Sequence, residues 1–242
     1  MTDKKGTAIE DVLTYLKEHA SEKYKNNVVK LGIPEKETLG VGTADLRKFA
    51  KKLPKDKTFI LALWATGYHE CKILAVLALQ PADYTEKEIE TFMSGIQSWD
   101  LCDLFCKTVL IARADYDSWI RSWIDKEELY YKRAAFTLIA STSVHVSLTN
   151  EEIQDYLTLI KKYSADERLL VKKAVSWALR ELGKTNEQAK EWSIETAEIL
   201  TKQTDKGQQW AGKDALKELS TLVRTEGRTR LISSKSKMGR AL

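Results

Sequence analysis

The chemically suggestive residues lie off the apolar stripes of three segments. With Trp99 at zero and successive residues advancing about 100°, Asp103 falls near 40° and Cys106 near 340°. Leu101, Leu104, Phe105 and Ala112 gather between about 140° and 240°, which is the core stripe. A tryptophan and a carboxylate one turn apart thus share the face opposite that stripe. Over 127–142 the stripe is Tyr131, Ala135, Leu138 and Ile139, and Arg133 projects from the other side. Over 167–183 it is Val171, Val175, Ala178 and Leu182, with Trp177 well off its centre and flanked by Lys173 and Arg180. A carboxylate stabilises developing positive charge, an indole face attracts cations, and a guanidinium grips a phosphate through two hydrogen bonds. The competing interpretation of each is packing: large aromatics are usually core, and Asp103 with Arg133 can form a structural ion pair.

Other chemistries find less support. His69, Cys71, Cys102 and Cys106 contain zinc-ligating types, but Cys102 and Cys106 are spaced by a helical turn rather than the tight turns of a structural site. Buried cysteines and a hydrogen-bonded histidine fit better, and no metal is expected. Cys102 and Ser141 lack a base at a recognisable spacing for nucleophilic catalysis. No glycine-rich loop follows a strand, so no nucleotide cofactor is expected, nor any other.

The elements that must position these side chains are helices. The prolines are Pro34, Pro54 and Pro81, all at expected connections, and no stretch sustains the alternation of a strand. The segment from Thr85 is the clearest case. Thr85 with Glu88 forms a capping box, and Ile89, Phe92, Met93 and Ile96 line one helix face. Similar patterns predict twelve helices, near 7–19, 43–53, 57–66, 68–80, 85–97, 99–113, 115–124, 127–142, 149–162, 167–183, 185–203 and 207–223. The stretch from Tyr24 to Gly42, with Gly32, Pro34, Gly40 and Gly42, is expected to be an irregular loop. Short turns force successive helices antiparallel, and pairs of them fall in the size range of HEAT or armadillo repeats. The alternative is a compact helical domain without repeats.

The chain has 242 residues, 43% hydrophobic and 31% charged, enough for a sizeable core and too apolar for wholesale disorder. No apolar run approaches the roughly 18–20 residues of a membrane span. Neither the start, Met1-Thr-Asp-Lys-Lys-Gly, nor the odd count of three cysteines suggests secretion, so a cytoplasmic, monomeric protein with no membrane association is expected. The net charge of +4 is uneven: residues 224–242 carry +5 and the preceding 223 carry −1. Such a tail can touch nucleic acid, or can simply be a solvated end. The expected organisation is one repeat domain over 1–223 followed by a flexible basic tail over 224–242.

An ordered set of segments resembles the DNA alkylation repair family, the AlkD-type HEAT-like-repeat DNA glycosylases. These are Gly40-Val-Gly-Thr-Ala-Asp-Leu-Arg-Lys, Leu63-Trp-Ala-Thr-Gly-Tyr-His-Glu, Ser98-Trp-Asp-Leu-Cys-Asp, Tyr131-Lys-Arg-Ala-Ala-Phe and Val171-Lys-Lys-Ala-Val-Ser-Trp-Ala-Leu-Arg-Glu. The resemblance spans about residues 8–222. It implies an all-α fold, a right-handed solenoid of about six antiparallel helical hairpins whose concave face holds duplex DNA carrying alkylated bases. It implies excision of cationic purines such as N3-methyladenine and N7-methylguanine without a base-flipping pocket. The family's catalytic aspartate corresponds to Asp103, its active-site tryptophans to Trp99 and Trp177, and its active-site arginine to Arg133. Lys173 and Arg180 become DNA contacts, and the four active-site residues are expected to converge. The segment 24–42 departs from the family's shorter counterpart. A non-catalytic HEAT-like scaffold binding DNA structures or a protein partner is the competing expectation.

Overall fold

A computed structural model describes residues 8–241, which divide after Arg113 into two compact units. The first unit runs α1 (Ile9–Glu18), α2 (Glu22–Lys30), α3 (Thr43–Ala50), α4 (Lys57–Ala65), α5 (His69–Ala78), α6 (Glu86–Ser94) and α7 (Trp99–Thr108). The second runs α8 (Tyr116–Trp123), α9 (Leu129–His145), α10 (Asn150–Tyr163), α11 (Leu169–Gly183), α12 (Glu187–Thr201) and α13 (Lys206–Leu219). All twelve expected helices form, and short polar caps start several of them. The Thr85–Glu88 capping box closes in both directions: Glu88 N–H donates to Thr85 Oγ1 (3.3 Å) and Thr85 N–H to Glu88 Oε2 (2.8 Å). Lys57 adds an ion pair to the same carboxylate at 2.7 Å, and together these bonds draw its pKa down to about 2.

Two helices are buried nearly all round, and they organise their units. Every residue of α5 except Leu77 is buried, packed against α3, α4 and α7. In α9 the run Lys132–Ser143 is buried throughout, with α8 and α11 as packing partners. Such helices show no polar face to solvent, so a helical wheel locates the stripe correctly and still misjudges what lies opposite it. Among the described residues no helix is long and apolar enough to cross a membrane.

The expectation for one segment is corrected. The stretch expected to be a loop from Tyr24 contains most of α2, started by Ser21, whose Oγ accepts from Tyr24 N–H at 3.3 Å. No residue of α2 is buried, so no apolar stripe announces it. It docks through backbone instead: Ser21 N–H donates to Gly40 O (2.9 Å). Gly40 sits at φ +98°, where a Cβ would lie 2.7 Å from Ser21 O, so only glycine fits this approach. The C-terminal segment carries hydrogen-bonded structure of its own. Leu222–Val223 (β1) and Ile232–Ser233 (β2) pair antiparallel, with Leu222 opposite Ser233. Leu222 and Leu231 are buried, and Leu231 N–H donates to Lys184 O at 2.8 Å.

Candidate nucleic-acid interface

In the first unit the site grows from the first turns of α5 and α7. Trp99 opens α7, and Asp103 follows one turn later on the same face; both are half-buried. Cys106, expected beside them on the off-core face, is fully buried, because α7 is covered on more than its apolar stripe. The indole is oriented by a hydrogen bond from Trp99 Nε1 to Leu31 O (3.0 Å), at the C-terminal end of α2. The neighbouring Asp100 is tied to α5: His69 Nε2 lies 2.9 Å from Asp100 Oδ2. Burial pushes the Asp100 carboxyl up, but the bonds from His69 and from Leu101 N–H outweigh it and hold its pKa below the ordinary carboxylate value.

The next residue of α5, Glu70, is buried and accepts from backbone. Its Oε1 receives Gly40 N–H at 2.7 Å and Leu39 and Val41 N–H at 3.1 and 3.3 Å, and Oε2 receives Leu39 N–H at 3.0 Å. Lys72, two residues on, reaches Glu37 Oε2 (3.3 Å) and Gly95 O (3.4 Å). The sequence assigns these supporting groups no role in the site: His69 is weighed as a zinc ligand against a hydrogen-bonded histidine, and His69 and Glu70 otherwise appear only inside a motif. Their one available signal was polarity at the head of a strongly apolar helix, at His69, Glu70 and Lys72.

The second unit holds Arg133, Lys173, Trp177 and Arg180. Arg133, expected to project away from the packed stripe, is 6% exposed, and its Nη1 donates to Leu170 O at 2.6 Å in the first turn of α11. The physical reason is the all-round burial of α9, whose face opposite the stripe is also interior. On α11, Lys173 is exposed and Trp177 half-buried, as their wheel positions anticipate. Arg180 is different: its Nη1 pairs with Glu218 Oε2 of α13 at 2.7 Å, and Lys184 joins the same carboxylate at 2.8 Å. Burial raises the Glu218 pKa, the two cations lower it more, and the carboxylate stays ionised. Beside them Ser176 Oγ donates to Asp214 Oδ2 (2.8 Å), and Lys172 Nζ stands 5.4 Å from the Trp210 ring centroid.

Comparison with known proteins gives these units a relationship. The family model described as DNA alkylation repair enzyme matches residues 12–219. The chain belongs to that family. A solved structure described as one of "a new family of proteins related to the HEAT-like repeat DNA glycosylases with affinity for branched DNA structures" superposes with a TM-score of 0.72. The match covers 97% of this chain and 92% of that chain at 16% identity, which establishes the all-α, HEAT-like repeat fold. Among curated proteins none matches. The family match ends at Leu219, so the C-terminal segment lies beyond it. Among the described residues no three His, Cys, Asp or Glu side chains gather as a metal site, and Cys71, Cys102 and Cys106 are buried.

Proposed function

We propose that this member of the DNA alkylation repair family hydrolyses the N-glycosidic bond of cationic alkylated purines in duplex DNA. The observation that carries the reading is the pairing on α7: a half-buried carboxylate, Asp103, one turn from an indole, Trp99, whose ring is held by its own N–H. An N3- or N7-alkylated purine already carries positive charge. As its glycosidic bond breaks, the electron pair leaves with the base and neutralises it, while the deoxyribose gains oxocarbenium character. Water supplies the new oxygen–carbon bond and releases a proton. Asp103 stabilises the sugar cation and orients the water, a role worth roughly 10²-fold or more in rate. Trp99 favours a cationic nucleotide over a neutral one by about 0.5–2 kcal/mol.

Trp177, Lys173 and Arg133 in the second unit enter through the family resemblance. Trp177 offers a partly exposed indole, Lys173 a phosphate contact, and Arg133 a guanidinium that braces the first turn of α11. The deciding experiment is release of free base from duplex DNA containing N7-methylguanine, at single turnover, by the parent and by Asp103→Asn. The expected result is excision slowed about 100-fold or more, with duplex affinity within a factor of about three. Equal rates refute the role of Asp103.

A second reading, binding of DNA structures without excision, is favoured by two observations. The guanidinium of Arg133 donates to a backbone carbonyl, and that of Arg180 is engaged by Glu218. The solved relative with affinity for branched DNA points the same way. A parent protein that binds duplex or junction DNA and releases no base selects this reading.

A further inference from the structure

The C-terminal segment presents exposed basic side chains on a hydrogen-bonded base, and nothing in the proposed chemistry uses it. Its base is fastened to α11 and α12. Arg230 Nη2 meets Glu181 Oε2 at 2.8 Å, and Lys190 Nζ donates to Leu222 O at 2.8 Å. Thr221 Oγ1 and Ser233 Oγ lie 2.8 Å apart, and Ser234 N–H donates to Thr221 O at 2.8 Å. Beyond the second strand the chain folds into a knuckle over Ser233–Arg240. Ser236 donates to Ser233 O from its N–H (3.0 Å) and its Oγ (2.6 Å). Gly239 N–H then returns to Ser236 Oγ (3.0 Å), and Arg240 N–H to Ser236 O (3.0 Å). The backbone crosses itself so closely at Gly239 that a Cβ there would lie 2.2 Å from Ser233 O.

This folding points three cations outward within six residues. Lys235, Lys237 and Arg240 are exposed, and among the described residues none of them forms an ion pair. Two other cations of the segment differ: Arg230 is bound to Glu181, and Arg224 lies 3.8 Å from Glu187; Arg228, in the turn between the strands, is exposed as well. No acid follows Glu226 in the sequence. A frayed solvated end would need neither the buried Leu231 nor the self-bonded knuckle. Holding several like charges together is favourable against a dense polyanion, and duplex DNA presents one charge per roughly 1.7 Å of axis.

We propose that the knuckle Ser233–Arg240 is a phosphate-backbone contact for duplex DNA, with Lys235, Lys237 and Arg240 each neutralising a phosphate. It rests on the reading that this chain binds DNA, and it adds a surface outside the part matched by the family model. Its grip is independent of base sequence, because Lys and Arg side chains on phosphates carry no sequence information.

The test compares the full-length parent with Lys235→Gln/Lys237→Gln/Arg240→Gln, and with the charge-keeping Lys235→Arg/Lys237→Arg/Arg240→Lys. Affinity for an undamaged labelled duplex is measured across a salt series. The neutral variant is expected to lose about tenfold or more near 0.15 M salt, and its slope of log K against log salt to shrink by about 2–3, since each lost contact removes about 0.9. The charge-keeping variant stays within about twofold of the parent. Matching thermal melting curves show that folding is intact, as expected for exposed side chains. Unchanged affinity and slope in the neutral variant, while the parent binds and excises, overturn the knuckle alone. A parent that binds no DNA overturns the DNA reading itself. Parent binding to polyglutamate as tight as to DNA, lost in the neutral variant, assigns the knuckle to an acidic protein instead and overturns the proposal.

Discussion

Glu70→Gln is the substitution whose cost follows most directly from the structure. The wild-type carboxylate is 2% exposed and serves three backbone N–H groups, those of Leu39, Gly40 and Val41. A glutamine can place its carbonyl where Oε1 stands and keep those bonds, now without charge assistance. Its NH₂ then occupies the place of Oε2 and faces Leu39 N–H, donor against donor, where the wild type has a 3.0 Å bond. Hydrogen bonds to charged groups contribute about 1.5–3 kcal/mol each and neutral ones about 1, so the loss sums to about 2–4 kcal/mol. The segment 39–41 is the backbone on which α2 docks, so the damage is local before it is global. Hydrogen exchange read at the amides of Leu39, Gly40 and Val41 is therefore the assay. Their protection should fall by about 30-fold or more, while amides of α9 keep theirs. Unchanged exchange at these three amides would mean that Glu70 is not what holds the segment.

Two further outcomes separate structural charges from DNA contacts and fix a pH dependence. Arg180→Ala should cost about 1 kcal/mol of stability, as Glu218 keeps Lys184, and should change duplex affinity less than about twofold; the exposed Lys173→Ala should instead weaken binding and lower the salt slope by about one, and the reverse pattern on filter binding and melting would undo both assignments. The folded Asp100 carboxyl has a lower pKa than the unfolded one, so the folded state binds fewer protons. Its contribution is present above the ordinary carboxylate value and disappears as pH falls through the lowered one. The melting temperature of the parent should therefore drop more steeply than that of Asp100→Asn below about pH 4, and parallel curves would show that His69 does not stabilise the ionised Asp100.

Local pattern made the scaffold legible wherever a helix has one wet face. The Thr85–Glu88 box and the stripe Ile89, Phe92, Met93, Ile96 are found as read, all four side chains buried. The same logic failed on α2, which buries nothing, and on Arg133, whose helix has no wet side along Lys132–Ser143. The bonds of the C-terminal segment leave no local pattern, because their partners lie far away in sequence, such as Glu181 for Arg230 and Lys184 for Leu231. For the candidate site, the spacing of Trp99 and Asp103 is visible in sequence because four residues make about one helical turn. What fixes the indole is not visible, since Leu31 lies 68 residues from Trp99 and offers only a carbonyl.

These long-range bonds close into a circuit within the first unit. Ser21 caps α2 and takes the Gly40 carbonyl; Gly40 N–H donates to Glu70; Glu70 adjoins His69 on α5. His69 meets Asp100, Asp100 adjoins Trp99 on α7, and Trp99 Nε1 returns to Leu31 at the other end of α2. Each link alone is worth only about 0.5–3 kcal/mol. Joined in a ring, they restrain the indole from both sides, since Trp99 is bonded through its side chain to α2 and through its backbone to a turn anchored on α5. Burying His69 and Glu70 in an otherwise apolar helix is costly unless their polar atoms find partners, and here the partners are the segments that orient Trp99. The polar head of α5 thus acts as the positioning device of α7, which is why a helix so thoroughly buried retains an acid, a histidine and a lysine in its first turn.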